Sequence, residues 1–412
     1  MTENNNKKES GKKTKKQPWR RKRHSIATYL LTPFVATYAR LRYHIRVEKC
    51  KDKRQYLILA NHQTGFDQFF ITMLFPGAVY YVASEDIFSM GLASKIIKFL
   101  VSPIPIKKST NDSRAVRLCR KVALEGGRIA IFPEGNRTYS GCTEYIKPSL
   151  EQLVRFLRLP VAIVHIEGGY GVKPRWSDVI RRGRMRAYVS EVIEMEEYAA
   201  MSSEELTARL EKALYVNDTD LSAEYHHKKS AEYLERAMYF CPRCGLTTWH
   251  SDGDTAACLG CGQKIRYLPN LRIEGIDTPF PYDTMNAWYH AQNAFVNALD
   301  TSLYTKAPAY EDTVDLFEVI PEKRKHLIEK KAKLSLYGDR YEIKTETETL
   351  VFPFSDIHSA AVLGKNKLNF YTGEHIYQIK SDKRFNAVKY MNFYFRHSHI
   401  LKGELYDQFL GL

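Results

Sequence analysis

Between residues 45 and 195 short apolar runs alternate with stretches of helical spacing. Residues 55–60, 78–83, 128–132, 161–166 and 185–192 read as strands, and 103–108 as a short extended piece. Residues 67–74, 85–100, 111–124 and 148–157 read as helices, with Pro76-Gly77 and Gly126-Gly127 as stop signals. The alternation predicts an α/β domain with a mixed or mostly parallel sheet flanked by helices, so chemistry belongs on loops leaving strand ends. Beyond residue 200 the pattern changes. Residues 202–215 and 223–238 read as helices, with Ser202-x-x-Glu205 as a capping box. Residues 267–324 hold one helix (284–299) and otherwise read as linker. From 333 to 379 short strands follow one another, starting with two around Gly338-Asp339 and continuing at 350–354, 359–363, 367–371 and 375–379. An amphipathic helix at 384–395 closes the series.

This divides the chain into a tail (1–24), an α/β domain with an N-terminal helix (25–215), a helical linker (216–240) and a cysteine-bearing segment (241–266). A linker (267–324), a β-rich domain (325–402) and a short tail (403–412) follow. No run approaches the roughly 18 apolar residues of a membrane-spanning helix, which argues against a multi-span protein. Seven Cys in 412 residues do not suit a secreted disulfide scaffold. The net charge of +15 points to an anionic partner, and the first 24 residues alone carry +8 of it. Residues 25–39 are apolar and interrupted by Pro33. A basic tail followed by such a helix fits a chain lying on an anionic membrane face; a core helix behind a solubilising tail is the rival reading.

Two strand ends carry chemistry. In Leu57-Ile58-Leu59-Ala60-Asn61-His62-Gln63-Thr64-Gly65-Phe66-Asp67, an Asp five residues after a His can fold back across a turn onto the imidazole. A carboxylate on one ring nitrogen fixes the tautomer and raises the basicity of the other, which makes a general base. In Ile129-Ala130-Ile131-Phe132-Pro133-Glu134-Gly135-Asn136-Arg137-Thr138 an apolar strand runs into a turn that presents Glu134 and Arg137. Arg137 offers the fork geometry that suits phosphate; a surface Glu134–Arg137 ion pair is the simpler alternative.

Asn-His-x4-Asp followed about seventy residues later by Phe-Pro-Glu-Gly-x-Arg resembles the glycerolipid acyltransferase family, which includes the 1-acylglycerol-3-phosphate O-acyltransferases. The resemblance covers about residues 45–195. It implies that His62 is the base on the acceptor hydroxyl, that Asp67 orients it, and that Glu134 belongs to the catalytic set. Asn61, Lys108, Gly135 and Arg137 would bind the acceptor. The hydroxyl would attack an acyl thioester directly, with no acyl-enzyme. Three positions depart from the family pattern: Lys108 stands where Arg is usual, His165 where Pro is usual, and Asn136 where Thr is commoner. Lys108 keeps the charge and loses the bidentate fork. These departures put the acceptor in doubt and leave the chemistry intact. His165 also reads as a satisfied strand-end histidine, and Lys147 as either a phosphate contact or a solvated lysine.

Cys241-Pro242-Arg243-Cys244-Gly245 and Cys258-Leu259-Gly260-Cys261-Gly262 form two Cys-x2-Cys knuckles. Four thiolates at this spacing suit structural zinc and resemble a zinc ribbon; an Fe(Cys)4 centre is the rival. With four Cys ligands there is no open position for catalysis, and His250 is surplus. Cys50, Cys119 and Cys142 follow no metal spacing and read as reduced thiols, which favours a reducing compartment. The ribbon segment carries only +1 and one aromatic, Trp249, a poor footprint for nucleic acid. A structural or protein-docking role is the better reading. The order of elements in 325–402 resembles a pleckstrin-homology-like barrel, a likeness that does not itself give function. Lys365 and Lys367 read as lying on one of its strand-joining loops, as solvated lysines or headgroup contacts.

The expectation is a peripheral enzyme on the cytosolic face of a membrane. It takes a fatty acyl group from acyl-CoA or acyl carrier protein to the hydroxyl of a lysophospholipid, 1-acylglycerol-3-phosphate first among acceptors, and needs no redox or nucleotide cofactor. The alternatives are a different lyso-lipid acceptor, or a non-catalytic lipid-sensing scaffold that recruits a partner through the ribbon.

Overall fold

The computed structural model describes residues 18–84, 92–106, 112–320 and 325–403. Seven strands build the first sheet: β1 (Ile45–Val47), β2 (Leu57–Ala60), β3 (Val79–Ser84), β4 (Ile104–Ile106), β5 (Arg128–Ile131), β6 (Val161–Glu167) and β7 (Met185–Ile193). Their order is β1-β7-β6-β2-β5-β3-β4, and only the β6–β7 pair is antiparallel. Every residue of β2 is buried, as expected of a parallel strand covered on both faces. Leu57 and Leu59 point into one core; Ile58 and Ala60 point into the other.

Helices α1 (Lys22–Tyr43), α2 (Asp67–Leu74), α3 (Leu92–Leu100), α4 (Ser113–Leu124), α5 (Ser149–Leu157), α6 (Gly169–Val172), α7 (Met195–Ala199) and α8 (Ser203–Leu214) flank the sheet. The Asp112 side chain caps α4, and Ser202 and Glu205 complete both bonds of the capping box on α8. One face packs Val122, Val154, Leu157, Leu206 and Leu210 from α4, α5 and α8. Each such fully buried aliphatic side chain contributes about 1.5–3 kcal/mol. The other face packs Ala39 and Tyr43 of α1 and Phe70, Ile71 and Leu74 of α2.

That second core continues without a break into the C-terminal half through Trp176, Trp249 and Trp288. There a hairpin, β8 (Phe240–Cys241) and β9 (Gly245–Leu246), precedes a four-stranded antiparallel sheet: β10 (Trp249–Asp252), β11 (Thr255–Cys258), β12 (Lys264–Tyr267) and β13 (Ile273–Ile276). Helix α9 (Met285–Asn297) follows. The last sheet has seven antiparallel strands in the order β17-β16-β15-β14-β20-β19-β18. These are β14 (Tyr310–Glu318), β15 (His326–Leu336), β16 (Arg340–Lys344), β17 (Thr349–Pro353), β18 (Ile357–Leu363), β19 (Lys367–Thr372) and β20 (His375–Lys380). Helix α10 (Ala387–Lys402) packs on β18 and β19.

Four readings of the sequence need correction. Residues 223–238 are not a helix and 216–240 is not a helical linker; only 3-10 turns form, at Asp218–Asp220 and Leu234–Arg236. The helix-like spacing of Tyr225, Ala231, Leu234 and Met238 arises because each is buried separately in an irregular path. Tyr225 fills a slot where a Cβ on Gly168, Gly171 or Gly183 would come within 3.0 Å of its ring or hydroxyl. The C-terminal sheet starts at β14, inside the segment read as linker, and β14 joins the two meanders as a central strand. The ribbon sheet continues past residue 266 into β13. Helix α1 already begins at Lys22, inside the segment assigned to the tail. Lys7 to Lys16 and Lys108 lie outside the described residues.

Candidate active site

Strands β2 and β5 are parallel neighbours with Leu59 opposite Ile131, so the loops leaving their C-terminal ends lie side by side. This register brings together two motifs some seventy residues apart. His62 Nδ1 lies 2.8 Å from a carboxylate oxygen of Asp67, which is fully buried and opens α2, where the helix dipole favours a negative charge. The same carboxylate accepts the backbone N–H groups of Gln63 and Thr64 at 2.7 and 2.9 Å and the Thr64 hydroxyl at 2.6 Å. Four donors thus fix it in place. The imidazole lies flat on Phe132, with centroids 4.1 Å apart and an interplanar angle of 18°. Burial lowers the His62 pKa from 6.5, with Asp67 opposing, so the ring is neutral at pH 7. With Nδ1 held by Asp67, Nε2 is the nitrogen left to take a proton.

Glu134 is not at the cavity surface. Its Oε1 accepts the backbone N–H of His62 at 2.6 Å and its Oε2 that of Glu144 at 3.0 Å. Burial pushes its carboxyl well above the ordinary carboxylate range, against the two amides that favour the charge. The residue is a brace between the two motif loops. Gly135, with φ +68°, turns the chain beside it in a conformation that costs other residues energy. Asn61, expected at the substrate, donates its amide N–H to Ile166 O and accepts from Ile166 N, both at 2.8 Å, and so ties β2 to β6. His165 Nε2 lies 2.6 Å from Ala213 O, a satisfied strand-end histidine.

His62, Gly135, Asn136, Arg137 and Lys147 line one cavity of about 1400 Å³. Its apolar wall comes from Leu31 and Val35 of α1, Ile97 and Leu100 of α3, Tyr81 and Val82 of β3, and Leu153 and Phe156 of α5. Burial, then the charge of Arg175, lowers the Arg137 pKa to about 10. Burial lowers that of Lys147. Such a space suits an apolar chain with an anion at its mouth. No described helix is long and apolar enough to cross a membrane. Helices α1 and α3 nonetheless leave Tyr29, Leu30, Phe34, Leu41, Leu92, Ile96 and Phe99 exposed, several by more than 70%. They meet where the Arg23 guanidinium lies over the Phe99 ring.

Three contributors to the site have no sequence motif. Arg175, 3% exposed, lines the cavity and donates to Arg137 O at 3.0 Å. Gln63 and the fully buried Asp218 hold the backbone N–H groups at the start of α6, and Gln63 Nε2 donates to Asp218 at 2.9 Å. The glycines at 168, 169 and 171 were the one available signal of that close packing: a Cβ on Gly169 would come within 2.5 Å of Gln63.

The sulfurs of Cys241, Cys244, Cys258 and Cys261 all lie within 4.8 Å of one another, with Cys241–Cys261 at 3.7 Å and Cys244–Cys258 at 3.5 Å. Sulfur–metal bonds of about 2.3 Å in a tetrahedron require edges of about 3.8 Å, so the donor set fits a tetrahedral thiophilic ion. Gly245 and Gly262 follow the two knuckles with φ of +77° and +76°.

Residues 41–166 match the family model described as Acyltransferase. No curated protein matches the chain. Among solved structures, the crystal structure of the 1-acyl-sn-glycerophosphate (LPA) acyltransferase PlsC from Thermotoga maritima is similar at 19% identity and a TM-score of 0.40. The match covers 47% of this chain and 80% of that one. Both motif loops lie within the segment that matches the family model.

Proposed function

We propose that the protein is an O-acyltransferase that moves a fatty acyl group from an acyl thioester to the hydroxyl of a lysophospholipid, with 1-acylglycerol-3-phosphate as the leading acceptor and His62 as general base. The observation that carries this reading is the His62–Asp67 pair, 2.8 Å apart, on a cavity that also holds Arg137. The acceptor hydroxyl gives its proton to His62 Nε2 as its oxygen bonds to the thioester carbonyl carbon. The C–S bond then breaks, and the departing thiolate receives the proton. Asp67 stabilises the imidazolium in between. Arg137, with Lys147, attracts the acceptor phosphate, and the apolar wall receives the acyl chain.

The exposed apolar stripe of α1 and α3, flanked by Arg20 to Arg23, Arg40 and Arg42, supports docking on an anionic membrane. The same two helices wall the cavity, so an acyl chain would enter from the bilayer side. Cys241, Cys244, Cys258 and Cys261 would hold a zinc ion that crosslinks the two knuckles.

The test is acyl transfer by purified protein given labelled acyl-CoA or acyl carrier protein and a panel of lysophospholipids in anionic vesicles. Product from lysophosphatidic acid is expected. Product from another acceptor alone moves the substrate and keeps the chemistry. No product from any pair, with folded protein, overturns the reading.

A further inference from the structure

The turn between β18 and β19 belongs to the C-terminal sheet, yet Leu363 and Gly364 line the same cavity as His62. Gly364 O accepts from Arg175 Nε at 2.9 Å and from Arg137 Nη2 at 3.3 Å. Val362 O accepts from Arg175 Nη2 at 2.8 Å, and Lys365 O accepts from the Tyr139 hydroxyl at 3.1 Å. The Arg175 guanidinium lies 4.2 Å from the centroid of the Tyr139 ring. Lys365 Nζ reaches Asp178 at 2.5 Å and pins the turn to the first domain.

The balance of charge is informative. Arg175 is a like charge close enough to disfavour the protonated form of Arg137. Among the described residues neither forms an ion pair; the partners of both guanidinium groups are neutral oxygens. Carbonyl dipoles hold the cations still without cancelling them. A cavity mouth with two restrained, uncompensated guanidinium groups attracts an anion.

We propose that this turn is a working part of the acceptor subsite: it positions Arg137 through Arg175, so that affinity for an anionic acceptor headgroup depends on the docked C-terminal domain while the His62 chemistry does not. The proposal rests on the acyltransferase reading of the cavity. Arg175 is a positioning residue in this scheme, and the two halves of the chain form one active site.

Arg175→Lys keeps the charge and cannot make the three-way fork. It should raise the acceptor KM, and the Ki of sn-glycerol 3-phosphate as a competitive inhibitor, by about tenfold, with kcat within about twofold and the donor KM unmoved. Tyr139→Phe removes only the hydroxyl tie and should raise both constants by about two- to fivefold. Amide hydrogen exchange of residues 134–138 and 362–366 should accelerate together in both variants. An unchanged acceptor KM in folded variants, or a fall confined to kcat, overturns the proposal. If the wild-type protein transfers no acyl group, the functional reading fails, and calorimetric binding of sn-glycerol 3-phosphate decides the inference. Binding weakened by Arg175→Lys upholds it, and absent or unaltered binding overturns it.

Discussion

Glu134→Gln separates a brace from a catalytic group. Glu134 is 5% exposed, and its two oxygens are taken by the backbone amides of His62 and Glu144. Glutamine keeps the shape but turns an NH2 group toward one of these amides, so one bond is lost and two donors face each other. Both oxygens accept N–H groups, an arrangement that requires the ionised form against the opposing effect of burial, and a hydrogen bond to a charged acceptor contributes about 1.5–3 kcal/mol. If that energy holds the two loops in register, its loss lowers kcat/KM by about 10- to 150-fold. The assay is steady-state acyl transfer across a pH series, with hydrogen exchange of residues 132–138. The expected result is that moderate loss, an unshifted acid limb of the pH profile and faster exchange in the loop. A loss as complete as that of His62→Ala, with loop exchange unchanged, would mean that Glu134 touches the reacting atoms. No loss at all would remove the brace from the account.

Other expectations follow from the same geometry. Burial lowers the His62 pKa, and the neutral ring is the active base, so kcat/KM should fall only below pH 6.5 as the ring gains a proton; a midpoint at 7 or above contradicts this. The purified protein should carry one zinc per chain by atomic emission, and Cys258→Ser should bring it well below one and lower Tm by at least about 5 °C; metal-free protein with an unchanged Tm refutes a structural ion. Phe34→Glu on the exposed stripe of α1 should weaken cosedimentation with anionic vesicles by about tenfold or more, since burying one Phe contributes about 1.5–3 kcal/mol; equal binding would remove α1 from the membrane contact.

The sequence was most informative where function is local. The fold-back from His62 to Asp67 spans one turn, and each cysteine knuckle closes within four residues and a glycine, so both are written in adjacent letters. The strands of the first sheet were legible because β2 and β6 are short apolar runs buried on both faces. Long-range partners were not legible. Arg175 sits in an irregular segment, and two of its carbonyl partners lie almost 190 residues later. Asn61 occupies a motif position, yet its bonds go to a strand more than a hundred residues away. Strand β14 was hidden by its charges, because Glu311, Asp312 and Asp315 find partners in Lys333, Lys389 and the backbone of Lys331 only once the sheet is built.

If His62 is the base of the acyl transfer, turnover depends on its imidazole. The most direct measurement is single-turnover transfer from labelled acyl-CoA to lysophosphatidic acid at saturating acceptor, comparing wild type with His62→Ala at equal zinc content and Tm. Product is expected from the wild type, with a loss of at least about 10³-fold in the variant. Turnover by His62→Ala at a rate near wild type would contradict this role of His62.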